Sequence, residues 1–251
     1  MFGRFSLGEG FKKHFEVMHA ADEPARSSVY RIRHEVYCDD LQYEPKRANG
    51  EESDGFDRHS LHCLLRKSSL EHDLVGCTRL VLAHQQDEDF ELPFERLCAD
   101  SIDRSIIDPA RLPRERIAEV SRLAVRGRYR QRKNEKGTSL SLQREDFGSA
   151  DQPRFPYIPV GLYLGTVAIA HRHGIDTLFV LTEPRLADHF AKIGVKILPI
   201  GSPIEHRGLR LPSVMNVPEI IAGLRIFIRP IWQAINDQID AHAKQQNANS
   251  L

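Results

Sequence analysis

The sequence predicts an α/β domain, on three observations. Four runs read as strands from alternation or continuous apolar character: His59 to Arg66, Asp73 to His84, Arg116 to Val125 and Asp176 to Thr182. Segments with helical spacing interleave with them, opening near Pro24, Val160 and Pro218. The 251 residues are 41% hydrophobic and 28% charged, a balance that suits one large packed domain and not a disordered chain.

The first clear element opens near Pro24, where Asp22 or Glu23 can cap and proline suits a first helical position. Val29, Ile32, Val36 and Tyr37 follow helical spacing. Arg33 falls on the same apolar stripe, so it needs an anionic partner, because burying an unpaired charge is costly. Leu41 to Asp57 is polar, acidic and glycine-bearing and reads as a loop. In the second strand Val75, Cys77, Arg79 and Val81 share one face, and a short helix follows around Leu92 to Cys98. In the third strand Ile117, Glu119, Ser121, Leu123 and Val125 point one way. Arg122 points the other, unless a bulge shifts the register. Arg126 to Pro156 opens with RGRYRQRKNEK and reads as a long insertion, and such loops are usually functional or disordered.

Beyond it lie a helix from Val160 to His173 closed by Gly174, the strand Asp176 to Thr182, and a helix from Pro184 closed by Gly194. Val195 to Ile200 and His206 to Met215 read as strands, and a last amphipathic helix runs from Pro218 to about Ala243, bent at Pro230. The expected organisation is one domain over residues 1–251, with an N-terminal helical extension (1–43), a basic insertion (126–156) and a C-terminal helix (217–243).

Lys plus Arg equals Asp plus Glu, 35 each, so the whole surface is not built to grip a polyanion, and no nucleic-acid partner is expected. No stretch reaches the roughly 18 uncharged apolar residues of a spanning helix. The most apolar segment, Ile220 to Ile231, is interrupted by Arg225 and Arg229. The start shows no apolar run followed by a small-residue cleavage site. Cys38, Cys63, Cys77 and Cys98 form no CxxC and read as reduced core thiols, which suits the cytoplasm. His59, His62, Cys63, His171 and His173 invite a zinc reading. His59 and His62 face opposite sides of a strand, however, and His171 and His173 close a helix, where the dipole favours them. No metal is expected.

Several charged or aromatic residues stand where neutral or apolar ones would be ordinary, and they form a spaced series. RHEVYCDDLQY holds Arg33, Tyr37 and Tyr43; EESDGFD holds Asp54 and Asp57; GCTRL holds Arg79; PFERL holds Phe94; EVSR holds Glu119, Ser121 and Arg122. In order and spacing the series resembles the acyl-homoserine-lactone synthase family. That family shows an arginine, an aromatic and a tryptophan, then E-x-D-x-x-D, G-x-x-R-L, a phenylalanine and E-x-S-R. The likeness runs from about Val29 to Val217. Tyr43 stands where the lactone synthases have tryptophan, and the insertion after EVSRLAV is longer than theirs. SRLAVRGRYRQRK is more similar to a sister group, the PEP-CTERM/exosortase-associated acyltransferases, which resemble N-acyl amino acid synthases. The resemblance implies a GNAT-type (acyl-CoA N-acyltransferase) fold, a mixed central sheet flanked by helices.

It also implies transfer of a fatty acyl chain from acyl carrier protein to the amine of an amino acid. No cofactor would be bound permanently, and the donor thioester would arrive as a substrate. The GNAT pyrophosphate loop R-x-x-G-x-G/A is not readable after Val125, which favours the carrier protein over coenzyme A as donor. Aminolysis of a thioester needs a base, donors for the oxyanion, an anion-holding group and an apolar slot. Glu119 is the candidate base, with a structural pairing to Arg79 as the alternative. Ser121 and Arg122 stand beside it. Arg122 could hold the acceptor's carboxylate or brace the sheet, and no G-x-S-x-G elbow marks Ser121 as a nucleophile. Arg33, Tyr37, Tyr43, Asp54, Asp57, Arg79 and Phe94 are the expected substrate-binding set. Within it, Asp54 and Asp57 either take the ammonium or pair with Arg33 and Arg79.

The run Arg126, Arg128, Arg130, Arg132 and Lys133 suits docking of an acidic carrier protein or is a solvated loop. The stripe Ile220, Leu224, Phe227, Ile228, Ile231 and Ile235 is core, a dimer face, or a peripheral contact with the inner membrane. Two further readings stay open: a homoserine-lactone synthase using S-adenosylmethionine, and a non-catalytic acyl-binding or regulatory module.

Overall fold

The computed structural model describes residues 7–69, 73–83, 90–130, 156–183, 190–191 and 193–249. A helix, α1 (Leu7–His14), leads into the edge strand β1 (Phe15–His19). Both precede the first element the sequence pattern reveals, so the N-terminal stretch contributes a strand as well as helices. β1 spans five residues, too few for alternation to register. α2 (Glu23–Arg33) begins where expected: Asp22 caps it by accepting from the Ala25 amide, with proline in the first turn. It widens into a π-helical turn, His34–Asp40, which buries Val36, Tyr37 and Cys38.

The sheet is mixed. β2 (Ser60–Lys67), β3 (Leu74–Leu82) and β4 (Ile117–Val125) continue antiparallel from β1. β4 then pairs parallel with β5 (Thr177–Thr182), and β5 pairs antiparallel with β8 (Leu209–Asn216). The two-residue strands β6 (Leu198–Pro199) and β7 (Ile204–Glu205) both pair with β8. The short helix α3 (Pro93–Leu97) lies between β3 and β4 in the chain, and α4 (Tyr157–Arg172) between β4 and β5.

α4 is apolar on all sides because it is buried: from Val160 to Ala170 only Tyr163 escapes full burial. Gly165 permits its close approach to the sheet, since a Cβ there would meet Val17 Cγ1 at 2.6 Å and Cys63 Sγ at 2.8 Å. Gly174, at φ +71°, ends the helix as expected.

The last amphipathic segment is broken, not bent. α5 (Val217–Gly223) stops at Leu224, whose extended backbone (ψ 126°) cannot continue a helix, and α6 (Arg229–Asn249) restarts with Pro230 in its first turn. Its stripe belongs to the core: Ile228, Ile231 and Ile235 are fully buried against α4 and the sheet. Ile226, in the break, is 83% exposed, and Phe227 is about half exposed. Gln238 of α6 covers the sheet edge, accepting from the Val17 amide and donating to the Phe15 carbonyl, which blunts an otherwise open strand. All four cysteines are buried and unpaired. Among the described residues no helix is long and apolar enough to cross a membrane.

Candidate active site

The parallel ladder between β4 and β5 runs only from Ile117–Thr177 to Val120–Val180. Beyond Val120 the two strands part, while β4 stays paired to β3 and β5 to β8. β4 amides past this point have no strand partner on the β5 side. A cavity of about 480 Å³ fills the gap, a usual size for a small-molecule site. Its lining mixes apolar and charged side chains. Tyr163, Val167, Leu178, Val180, Phe190 and Met215 supply apolar surface. Asp54, Arg79, Glu119, Arg122, Arg207 and Arg210 supply charge.

Glu119 belongs to this lining and is 4% exposed. Burial pushes its carboxyl up to about 7, against the pull of a hydrogen bond from the Phe94 amide and of the nearby Arg79 and Arg122 charges. That amide lies 2.7 Å from Oε2 and is Glu119's one hydrogen-bond partner among the described residues. Phe94 is held in place by stacking on Phe179, ring centroids 4.4 Å apart. Glu119 is therefore not the partner of Arg79. Arg79 donates to Ser121 Oγ (3.1 Å), Asp54 (2.7 Å) and Asp57 (3.1 Å).

Arg33 is wholly buried, as its place on an apolar stripe demanded, and its partners are Glu52 (2.5 Å) and a two-pronged contact with Asp57 (2.6 and 3.0 Å). Burial alone would raise Asp57; the Arg33 and Arg79 guanidiniums instead hold it down at about 2. Asp54 and Asp57 thus spend their charge on arginines, the pairing alternative. Arg33 and Asp57 brace the site from behind, while Tyr37, Tyr43, Asp54, Arg79 and Phe94 line the cavity with Glu119, Ser121 and Arg122.

The bulge weighed for β4 is present. Ala124 faces Cys77 and Ser121 faces Arg79, so two β4 residues lie opposite one in β3, and Arg122 adopts φ +52°. Simple alternation therefore fails. Arg122 turns toward the acidic loop, with Nη2 3.1 Å from Asp54 and 3.2 Å from Glu44, and Val125 joins the opposite face, against α4.

Of the basic run, Arg126 pairs with Glu35, Arg128 with Asp73 and Arg130 with Asp40. Arg132 and Lys133 lie outside the described residues, as does most of the helix expected from Pro184. Among the described residues no cluster of three His, Cys, Asp or Glu could hold a metal ion.

Sequence reasoning missed Glu52, although it opens the acidic motif, and Glu44. It also missed His206, Arg207 and Arg210, which reach the cavity from the β7–β8 hairpin. That hairpin lies far from the motifs in sequence, and nothing local marks it.

Residues 32–139 match the family model described as an acetyltransferase (GNAT) domain. Among solved structures the chain is similar to the AHL synthase LasI, at 14% identity and TM-score 0.55, over 85% of this chain and 98% of that one. The CoA-dependent acyl-homoserine lactone synthase MesI is 20% identical, with TM-score 0.55, over 86% and 94% of the two chains. FeeM, an N-acyl amino acid synthase from uncultured soil microbes, is 14% identical, with TM-score 0.53, over 85% and 96%. No curated protein matches in sequence. The fold is the GNAT acyltransferase fold, in the form found in the autoinducer synthases.

Proposed function

We propose that the chain is an acyltransferase that moves a fatty acyl group from a carrier-protein thioester to the amine of an amino acid, giving an N-acyl amino acid. The observation that carries this is Glu119: a buried carboxylate held near 7, in the wall of a cavity lined by both apolar and charged side chains. The apolar side chains take the acyl chain and the charged ones take the acceptor. Glu119, directly or through a water, removes a proton from the acceptor ammonium, and the neutral amine attacks the thioester carbonyl. The free β4 amides beyond Val120 lie where they can donate to the oxyanion. The amide C–N bond forms, the C–S bond breaks, and the thiol leaves with a proton. Ser121 holds Arg79 and is not placed as a nucleophile.

The carrier protein as donor rests on the basic run and on the unreadable pyrophosphate loop, and the likeness to the PEP-CTERM/exosortase-associated group belongs to the same proposal. Reversing Arg128 and Arg130 to glutamate is expected to weaken carrier-protein binding and flatten its salt dependence; unchanged binding removes that part of the reading. Peripheral membrane contact would fall to Ile226 and Phe227, since the rest of the stripe is core.

The test is mass spectrometry of lipid extracts from cells expressing the protein, against cells expressing Glu119→Gln. An acyl amino acid present only with the unmodified chain establishes the reaction. A homoserine-lactone mass would assign the lactone-synthase reaction instead. A folded, well-expressed protein with no product in any donor background would point to a binding module.

A further inference from the structure

Among the described residues three that are not glycine adopt a left-handed backbone: Gln42 (φ +55°), Arg122 (φ +52°) and Arg207 (φ +53°). Two of them, Arg122 and Arg207, come from distant parts of the chain and meet at the carboxylate of Glu44, two residues beyond Gln42. Glu44 Oε1 accepts from Arg122 Nη2 at 3.2 Å and from Arg207 Nη2 at 2.6 Å. Gln42 sets the turn that presents Tyr43 and Glu44. Each such conformation costs on the order of 1–3 kcal/mol and persists only where the surroundings enforce it. Clustered strain of this kind marks a site worth a functional explanation.

The grip has no evident structural need. Glu44 is partly exposed, and it belongs to a loop whose buried ion pairs are made by Glu52 and Asp57. Both arginines line the cavity, and Arg122 keeps a second carboxylate, Asp54 at 3.1 Å, that would hold it in place if Glu44 moved away. One carboxylate shared between two guanidiniums in the lining of a cavity is the geometry an amino acid's carboxylate would seek.

The aromatic walls agree. The Arg122 guanidinium lies over Tyr37 (5.7 Å) and that of Arg207 over Tyr43 (5.2 Å). Those rings already face cations. An acceptor with a positive head, such as a sulfonium, would meet two guanidiniums there, whereas an anionic head would meet complementary charge.

We infer that Arg122 and Arg207 form the acceptor's carboxylate site, and that Glu44 occupies it as an internal stand-in until an acceptor displaces it. This rests on the amino-acid reading above and deepens it: the acceptor is an amine carrying a carboxylate, and Arg207, from the β7–β8 hairpin, selects it.

The experiment is calorimetric titration of the full chain with each of the twenty amino acids, without acyl donor, then with the carboxamide of any that binds. The free acid is expected to bind at least about tenfold more tightly than its amide, because a charge-assisted pair is lost in the amide. Arg207→Gln should collapse that ratio to within about threefold, and Arg207→Lys should keep part of it. Glu44→Gln keeps the shape and removes the competing charge, so it should tighten the acid several-fold and leave the amide unchanged. A merely structural Glu44 would weaken both ligands together.

Equal affinities for acid and amide, weaker acid binding in Glu44→Gln, or no amino acid bound by the folded protein would each overturn the inference. Its failure is separable from that of the reaction. An acylated amine lacking a carboxylate, found in extracts, would keep acyl transfer and reject this site. Arg207-dependent amino-acid binding in a protein that yields no acyl product would do the reverse.

Discussion

Replacing Glu119 by Gln should make the protein more stable at neutral pH while removing its activity. The magnitude follows from burial. The carboxyl's ordinary value of 4.5 rises to about 7 in the fold. At about 1.4 kcal/mol per unit, keeping this group ionised in the fold costs about 3 kcal/mol. The sign follows from proton binding. Between pH 4.5 and 7 the folded state holds the proton and the unfolded chain has lost it, so stability falls as pH rises through that window. Above pH 7 both states are ionised and the cost is fully present; below 4.5 it vanishes. Gln carries no such cost and can still accept from the Phe94 amide. Denaturant melts of the two proteins at pH 8 and pH 5 are the assay. The variant should gain up to about 3 kcal/mol at pH 8, shrinking toward zero at pH 5. The rate limb belongs to the same group: acyl transfer should fall about tenfold per pH unit below 7, with Glu119→Gln slower by roughly 10²–10⁴. A variant no more stable at pH 8 than at pH 5, or one that keeps the acid limb with most of its rate, would refute both the ionisation and the role.

Arg33→Leu leaves Glu52 and Asp57 buried without their cation and should destabilise by about 3–5 kcal/mol in denaturant melts. In the unmodified protein Asp57 contributes stability that is present above pH 3.8 and lost as pH falls toward about 2. Acid unfolding should therefore steepen there, and Asp57→Asn should abolish that step. His62 is buried with neither ring nitrogen hydrogen-bonded, and burial lowers its pKa to about 3. The unfolded chain binds a proton below 6.5 that the fold refuses, so stability drops as pH falls from 6.5 toward 3. His62→Leu should flatten that drop and stabilise by about 2 kcal/mol at pH 5, measured by thermal melts. Val180→Phe narrows the apolar slot and should shorten the acyl chains in the product spectrum without moving the pH profile; an unchanged chain distribution would place the acyl group elsewhere.

The elements of the sheet and the burial of Arg33 were legible in the chain because they are local. Alternation or continuous apolar character marks β2 to β5, Asp22 and Pro24 announce α2, and an arginine on an apolar stripe announces a buried partner. Of the spaced series from Arg33 to Arg122, Tyr37, Tyr43, Asp54, Arg79, Phe94, Glu119, Ser121 and Arg122 line the cavity, and Arg33 and Asp57 pair beside it. Other features depended on contacts between distant segments. β1 is a strand because β2 pairs with it and Gln238 covers its edge. The bulge that turns Arg122 is set by the β3 register, where one residue faces two.

The identity of Arg33's second partner, Glu52, and the release of Glu119 from Arg79 followed only once the acidic loop had folded onto the sheet. Arg207 illustrates the division most clearly. The sequence pattern puts it inside a strand from His206 to Met215, whereas the strand begins at Leu209 and Arg207 lies in the turn before it. It reaches Glu44, 163 residues earlier, because β5 and β8 carry the hairpin across the opening that β4 leaves. Side-chain periodicity reports which face a residue occupies, and it carries no information about which remote charge will stand opposite. Pairing of that kind is settled by packing, where the cost of an unpaired buried charge selects one arrangement.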